Sequence, residues 1–284
     1  MRHFTTLIDT NTLSEELIRD DLTLFDCRFD LGNVSWGETE YARAHLPGAL
    51  YLHLDRDLSS PITELSGRHP LPDPERLAAR LAALGVGPDS QIVAYDQGNA
   101  AYAARLWWLA RWTGLRNVAV LDGGIAAWRA AGLPLETAVR TPEPRALPLS
   151  LAANAWLNSE TVDELRVRPG NLLIDARGAE RFAGRNETLD PVAGHVPGAR
   201  NRPFLDNLGA DGRFLPAEQL RQRFGVLLGS VPPSGAIAMC GSGVTACHNL
   251  LALEHAGFHG ARLYAGSWSE WIRDPRRPIA TGAY

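Results

Sequence analysis

Three cysteines in 284 residues, Cys27, Cys240 and Cys247, are too few and too unevenly spaced for a disulfide framework or a paired-cysteine zinc site. Any chemistry they support is expected to be that of the thiol itself, with no metal and no organic cofactor. A surplus of positive charge is missing too: 28 basic and 32 acidic residues, interspersed, give a net charge of −4. Without a basic stripe to meet a phosphate backbone, nucleic acid is not an expected partner. No stretch reaches the roughly 18 apolar residues of a membrane span, and the opening Met1-Arg2-His3-Phe4-Thr5-Thr6 has no basic region followed by an apolar run. The expectation is therefore no membrane partner and a cytoplasmic location. What is present is ordinary: 45% hydrophobic and 21% charged residues are globular proportions, and the length is about twice that of one domain. Two cores are expected.

The two halves share a series of landmarks in the same order. Leu24-Phe25-Asp26-Cys27-Arg28 leads to His45-Leu46-Pro47-Gly48-Ala49, as Leu173-Ile174-Asp175-Ala176-Arg177 leads to His195-Val196-Pro197-Gly198-Ala199. Ile92-Val93-Ala94-Tyr95-Asp96 then matches Ala236-Ile237-Ala238-Met239-Cys240, and Asp122-Gly123-Gly124 with Trp128 matches Ala265-Gly266-Ser267 with Trp271. Between the halves, Pro134 to Ser150 contains Thr141-Pro142-Glu143-Pro144-Arg145 and reads as an extended, stiff connector. The reading sets an N-terminal domain at residues 1–136, a linker at 137–148 and a C-terminal domain at 149–284.

Short β-rich runs alternate with helical patterns in each half, which points to an α/β fold with a mainly parallel sheet and helices on both faces. Strands are expected at Leu22–Asp26, Gln91–Tyr95, Ala119–Leu121, Leu172–Asp175, Ala236–Met239 and Arg262–Tyr264. Pro74 opens and Gly85 closes a helical run, and Pro216–Phe224 is its counterpart. Ala100–Thr113, with Trp107, Trp108 and Trp112, reads as a buried helix rather than an aromatic binding surface.

Met239-Cys240-Gly241-Ser242-Gly243-Val244-Thr245-Ala246 follows an expected strand and precedes a helical run from Cys247 to His255. A cysteine is thereby set at the carboxyl end of a strand, the edge at which open α/β sheets bind ligands. Two glycines allow successive N–H groups to turn inward as an anion nest, and the helix behind adds the positive end of its dipole. Both favour a thiolate, so Cys240 is the candidate nucleophile. Cys27 lacks a glycine cradle and Cys247 lies within the helix; both are expected to be structural. His45 and His195, one in each repeat, are expected to pack their domains rather than to transfer protons.

The duplicated halves, the two His-x-Pro-Gly-Ala segments and Cys240-Gly241-Ser242-Gly243-Val244-Thr245 resemble the tandem-domain rhodanese superfamily over nearly the whole chain. The resemblance implies two rhodanese-like domains, the second catalytic and the first an inactive copy; Asp96 stands where the repeat aligns with Cys240. Cysteine phosphatases of similar fold use C-x5-R with an arginine to clamp phosphate. Here that position is Ala246, which disfavours phosphoryl transfer. Thiosulfate-specific members resemble Cys-Arg-Lys-Gly-Val-Thr, whereas a loop with neutral Gly241 and Ser242 is similar to that of the 3-mercaptopyruvate sulfurtransferases.

That likeness implies several roles. Cys240 would carry a persulfide, Ser242 and Asp55 would assist it, and Gly241, Gly243, Val244 and Thr245 would cradle the substrate beside His69. Arg181 would grip the donor carboxylate, as a guanidinium can with two parallel hydrogen bonds. A second family arginine is expected slightly further on, but the stretch reads Asn186-Glu187-Thr188-Leu189-Asp190-Pro191; Arg185 is either its substitute or a surface charge. The implied partners are a small-molecule sulfur donor and an acceptor: a thiol, such as thioredoxin or a small molecule, or cyanide. Thiosulfate:cyanide sulfurtransfer and a non-enzymatic sulfur-carrier or binding module are the alternatives.

Overall fold

A computed structural model describes residues 2–282. They form two compact units, one comprising 2–60, 71–152 and 210–214, the other 61–70, 153–209 and 215–282. Each unit therefore holds a short stretch from the sequence of the other repeat. None of the described helices is long and apolar enough to cross a membrane.

In the first unit the strands are β1 (Leu7–Ile8), β2 (Leu22–Asp26), β3 (Leu50–Tyr51), β4 (Gln91–Tyr95) and β5 (Val118–Leu121). They pair in parallel in the order β1-β5-β4-β2-β3. In the second, β6 (Trp156–Leu157), β7 (Leu172–Asp175), β8 (Arg200–Asn201), β9 (Ala236–Met239) and β10 (Arg262–Tyr264) pair in parallel in the order β6-β10-β9-β7-β8. The two orders are the same, as a duplication requires. Tyr95 lies opposite Asp26 and Met239 opposite Asp175, so Asp96 and Cys240 leave their sheets at equivalent points. The α/β expectation and the central strands hold, because continuous apolar runs such as Ile92-Val93-Ala94-Tyr95 are buried throughout, as parallel strands must be.

Shared internal braces repeat as well. Arg28 is buried against Asp26 and donates to the Ala44 carbonyl; Arg177 does the same with Asp175 and Gly194. A buried ion pair of this kind is tolerated because each guanidinium is held both by its carboxylate and by a backbone carbonyl. His45 stacks on Tyr41 and contacts its carbonyl oxygen through Nδ1 at 2.7 Å, and His195 stacks on Phe182 and contacts its carbonyl at 2.8 Å. Both histidines pack their own unit, as expected. Trp128 and Trp271 each donate an indole N–H to a carbonyl beyond their helix, of Pro134 and Pro278.

The helix Pro74–Ala83 starts where Asp73 accepts from the Arg76 N–H and proline occupies the first turn. The tryptophan-bearing helix is buried, but it runs Ala103–Trp112 and not from Ala100. The Asp96 carboxylate accounts for the late start, since it takes the N–H groups of Ala100, Tyr102 and Ala103 and holds 98–102 as a loop. Residues 137–150 have no regular secondary structure. They are not loose: Arg145 donates its N–H to Ala82 and Ser150 to Thr113, which fastens this stretch to the first unit.

Candidate active site

β9 delivers Cys240 to the carboxyl edge of the second sheet, where its Sγ accepts from the N–H of Ser242 at 3.4 Å and of Gly243 at 3.1 Å. The loop can close this way because Gly243 adopts φ of +78° and a β-carbon there would strike the Ala265 carbonyl. Its carbonyls are drawn outward. Trp268 and Ser269 donate N–H groups to the oxygens of Cys240 and Gly241 at 3.0 and 2.8 Å, while the Cys240 N–H donates to Ser267 Oγ at 3.0 Å. With carbonyls turned out and amides turned in, the loop is a nest for negative charge. Val244 caps and Thr245 begins the helix Thr245–His255, whose positive end faces the same loop. Cys247 donates its thiol to the Gly243 carbonyl at 3.3 Å and so serves the loop's shape.

Ser242 and His69 are both buried, with Ser242 Oγ and His69 Nδ1 2.7 Å apart. Sequence reasoning put both residues in the site without pairing them. The ten residues Pro61–Pro70, which carry His69, are packed within the second unit.

A charged shell lies next to the loop. Arg181 donates Nε to both Glu187 carboxylate oxygens at 3.0 and 3.1 Å and Nη2 to Asp190 Oδ2 at 3.0 Å. The other oxygen of Asp190 accepts from Arg68 Nη1. Glu187 also accepts the N–H groups of Leu189 and Asp190. Burial is the largest single influence on Glu187 and works against its charge, but the Arg181 hydrogen bond, the N–H groups of Leu189 and Asp190 and the Arg181 charge together outweigh it, and the carboxyl stays below its usual range. For Asp190, burial prevails over the pull of Arg68 and Arg181, and its carboxyl is pushed up.

The remaining expected residues are placed differently. Arg185 is exposed and held bidentately by Glu180 at 2.8 and 2.5 Å. Asp55 lies in the first unit, in a turn where its N–H donates to His53 Nδ1 at 3.1 Å. Cys27 is buried, and burial followed by the nearby carboxylates of Asp26, Asp96 and Asp57 pushes its thiol up. That is the setting of an inert cysteine.

The first unit has an equivalent loop with a different occupant. Asp96 Oδ1 accepts from Gly98 and Ala100, both at 3.0 Å, and Oδ2 from Tyr102 and Ala103 at 2.9 and 3.3 Å. The carboxylate itself fills the nest.

Sequence reasoning missed Arg68, the bracing Ser267 and Ser269, and the two carboxylates that orient Arg181. The available signals were the adjacency of Arg68 to His69, and Glu187 and Asp190 within the stretch where a second arginine was sought.

The chain matches the family described as Rhodanese-like domain over residues 9–131 and again over 158–274. It is 52% identical over 278 residues, 97% of this chain and 98% of the other, to a Pseudomonas aeruginosa protein named a probable 3-mercaptopyruvate sulfurtransferase. It is 32% identical, over 97% of this chain and 95% of the other, to the thiosulfate sulfurtransferase of Cricetulus griseus. Among solved structures it is similar to the 3-mercaptopyruvate sulfurtransferase from Leishmania major, with a TM-score of 0.84 and 31% identity, covering 95% of this chain and 76% of that one.

Proposed function

We infer the function from one premise, that the chain belongs to the rhodanese-like domain family in two copies: it is a sulfurtransferase that moves sulfane sulfur from 3-mercaptopyruvate to an acceptor through a persulfide on Cys240. The observation that carries this reading is the position of Cys240 Sγ on the N–H groups of Ser242 and Gly243, a cradle suited to a thiolate and to the persulfide that succeeds it. The relatives named for the same donor support it.

In the first half-reaction the Cys240 thiolate attacks the donor sulfur. The carbon–sulfur bond breaks, and its electron pair passes to the methylene carbon as the enolate of pyruvate. The thiol proton of the donor is the one that this carbon requires. Ser242, hydrogen-bonded to His69, is suited to carry it. Asp55 is assigned as the supporting carboxylate of that relay on the sequence resemblance alone. Arg181 is assigned to the donor carboxylate; the amides of Ser242 and Gly243 meet the reacting sulfur, and Gly241, Val244 and Thr245 are assigned to its cradle on the sequence resemblance. In the second half-reaction an acceptor thiolate attacks the outer sulfur and restores the Cys240 thiolate. The acceptor is a small thiol or a protein thiol such as thioredoxin in the cytoplasm, with cyanide serving in an assay.

Charge decides between donors. Beside the loop, two arginines, Arg68 and Arg181, are matched by two carboxylates, Glu187 and Asp190. A balanced shell orients a monoanionic carboxylate through hydrogen bonds, whereas a dianion such as thiosulfate gains more from a net positive site. The thiosulfate reading keeps the support of the Cricetulus griseus relative. Measuring kcat/KM for mercaptopyruvate and thiosulfate, with cyanide as acceptor, tests the choice: mercaptopyruvate is expected to be preferred, and the reverse preference overturns it. Intact mass after donor treatment should rise by one sulfur, and a rise that survives Cys240→Ala overturns the persulfide.

A further inference from the structure

We propose that Arg68 is a specificity-determining residue, the second cationic contact for the donor carboxylate, forming with Arg181 a two-arginine site that Asp190 holds together. This rests on the donor reading above and adds to it a residue from a part of the sequence far from the expected clamp.

The geometry at Gly241 motivates it. A β-carbon on Gly241 would sit 2.8 Å from Arg68 Nη2 and 3.6 and 3.7 Å from Arg181 Nη2 and Nη1. Both guanidinium groups therefore converge on the backbone next to the nucleophile. The hydrogen bonds described use Nη1 of Arg68 and Nε and Nη2 of Arg181; Arg68 Nη2 is the nearest nitrogen to that position, and both Nη atoms of Arg181 lie within van der Waals range of it. Each carboxylate oxygen of Asp190 takes one arginine, so the spacing of the two cations is set by a single planar group.

Exposure gives this arrangement a direction. The side chains of Arg68 and Arg181 are 24% and 22% accessible, while those of Asp190 and Glu187 are 2% and 3% accessible. The cations front the solvent with the anions behind them, so an arriving carboxylate meets positive charge first. The Arg68 backbone is fixed as well. Its N–H donates to Ser269 Oγ at 3.0 Å, and a β-carbon on the preceding Gly67 would meet the Gly266 carbonyl at 2.7 Å. Gly266–Ser269 is the segment that braces the Cys240 loop, which ties Arg68 to the nucleophile through two short links. A glycine at position 241 leaves the space that the Arg68 guanidinium occupies.

Two donors and two variants test the proposal: 3-mercaptopyruvate and mercaptoacetone, which keeps the ketone and thiol but lacks the carboxylate, with wild type, Arg68→Met and Arg68→Lys. Arg68→Met is expected to lower kcat/KM for mercaptopyruvate about 10- to 100-fold, chiefly through KM, as loss of a charge-assisted contact does. Mercaptoacetone should change by no more than about twofold, and Arg68→Lys should fall between, because an ammonium keeps the charge but loses the fork. Equal losses with both donors would make Arg68 a brace only, and no loss with mercaptopyruvate would remove it from the site; either result overturns the proposal. If Arg68→Met does not fold, the ratio of the two donors with Arg68→Lys decides between the same outcomes. A wild type that takes no sulfur from mercaptopyruvate overturns the donor reading itself, an outcome distinct from a wild type that turns over and a variant that is unaffected.

Discussion

The loop after β4 and the loop after β9 begin at equivalent points of equivalent sheets, yet one holds a carboxylate and the other a thiol. In the first, Asp96 satisfies four backbone N–H groups with its own two oxygens. In the second, two N–H groups converge on Cys240 Sγ, with a serine, a histidine and two arginines close by. The same nest is filled once by a carboxylate of the fold and once by the thiol proposed to react. An internal anion closes the site by occupying it. The bracing helices differ to match: Gly124 and Ser267 both adopt positive φ, 54° and 53°, but only the serine donates and accepts, taking the Cys240 N–H and giving its own proton to the Tyr264 carbonyl.

The strongest test of this contrast moves the nucleophile. Cys240→Ser should lower sulfur transfer by at least about 10⁴-fold, and adding Asp96→Cys should not restore it, since the first loop has no counterpart of Ser242 with its histidine. A persulfide found at position 96 of the double variant by peptide mass mapping would show the loops to be equivalent and break the comparison. Next in size, Ser242→Ala should lower kcat/KM for mercaptopyruvate about 10²- to 10³-fold, with transfer from a preloaded persulfide to thiol less affected. Equal effects on both half-reactions would assign Ser242 to the shape of the loop.

Asp96→Asn sharpens the contrast from the other side. One amide oxygen can replace Oδ1 or Oδ2, but the NH2 then faces N–H groups, so stability should fall by about 2–4 kcal/mol in denaturant titration. Sulfur transfer per folded molecule should stay within about twofold, and a larger loss would give the first loop a direct part in turnover. The smallest effect concerns His195, whose imidazole is held below its ordinary range by burial. A base with a lowered folded pKa binds fewer protons when folded. Stability is therefore lost as pH falls through the ordinary imidazole value of 6.5, and the loss levels off below the lowered value. A slope below about 1 kcal/mol is expected in urea midpoints across that window, and it should be weaker in His195→Gln.

Local pattern carried most of the fold. Buried strands such as Gln91–Tyr95 and Ala236–Met239 show as continuous apolar runs, and the repeat made each half a check on the other. The loop around Cys240, the proposed nucleophile, was legible because its strand, glycine turn and helix are contiguous. The rest of the site is tertiary. Ser242 lies 173 residues from His69, and Arg68 lies 122 residues from Asp190, distances over which no periodicity or spacing operates. The start of the helix at Ala103 was missed for a related reason, since the Asp96 side chain competes with the helix for backbone donors. The second arginine was sought just after Arg181 because the family resemblance implied it there, whereas the structure brings the Arg68 guanidinium to Gly241 from another segment.

That segment, Pro61–Pro70, gives the half of the chain that carries Asp96 in place of a cysteine a part in the other half. A chain starting at residue 149 would inherit the nucleophile, its nest and Arg181, but neither His69 nor Arg68, both of which belong to the second unit. The first copy holds Asp96 where the second holds Cys240, and it lends ten residues to its twin. Separating the repeats at their boundary would thus strip the second unit of residues packed within it, and the duplication has become a dependency.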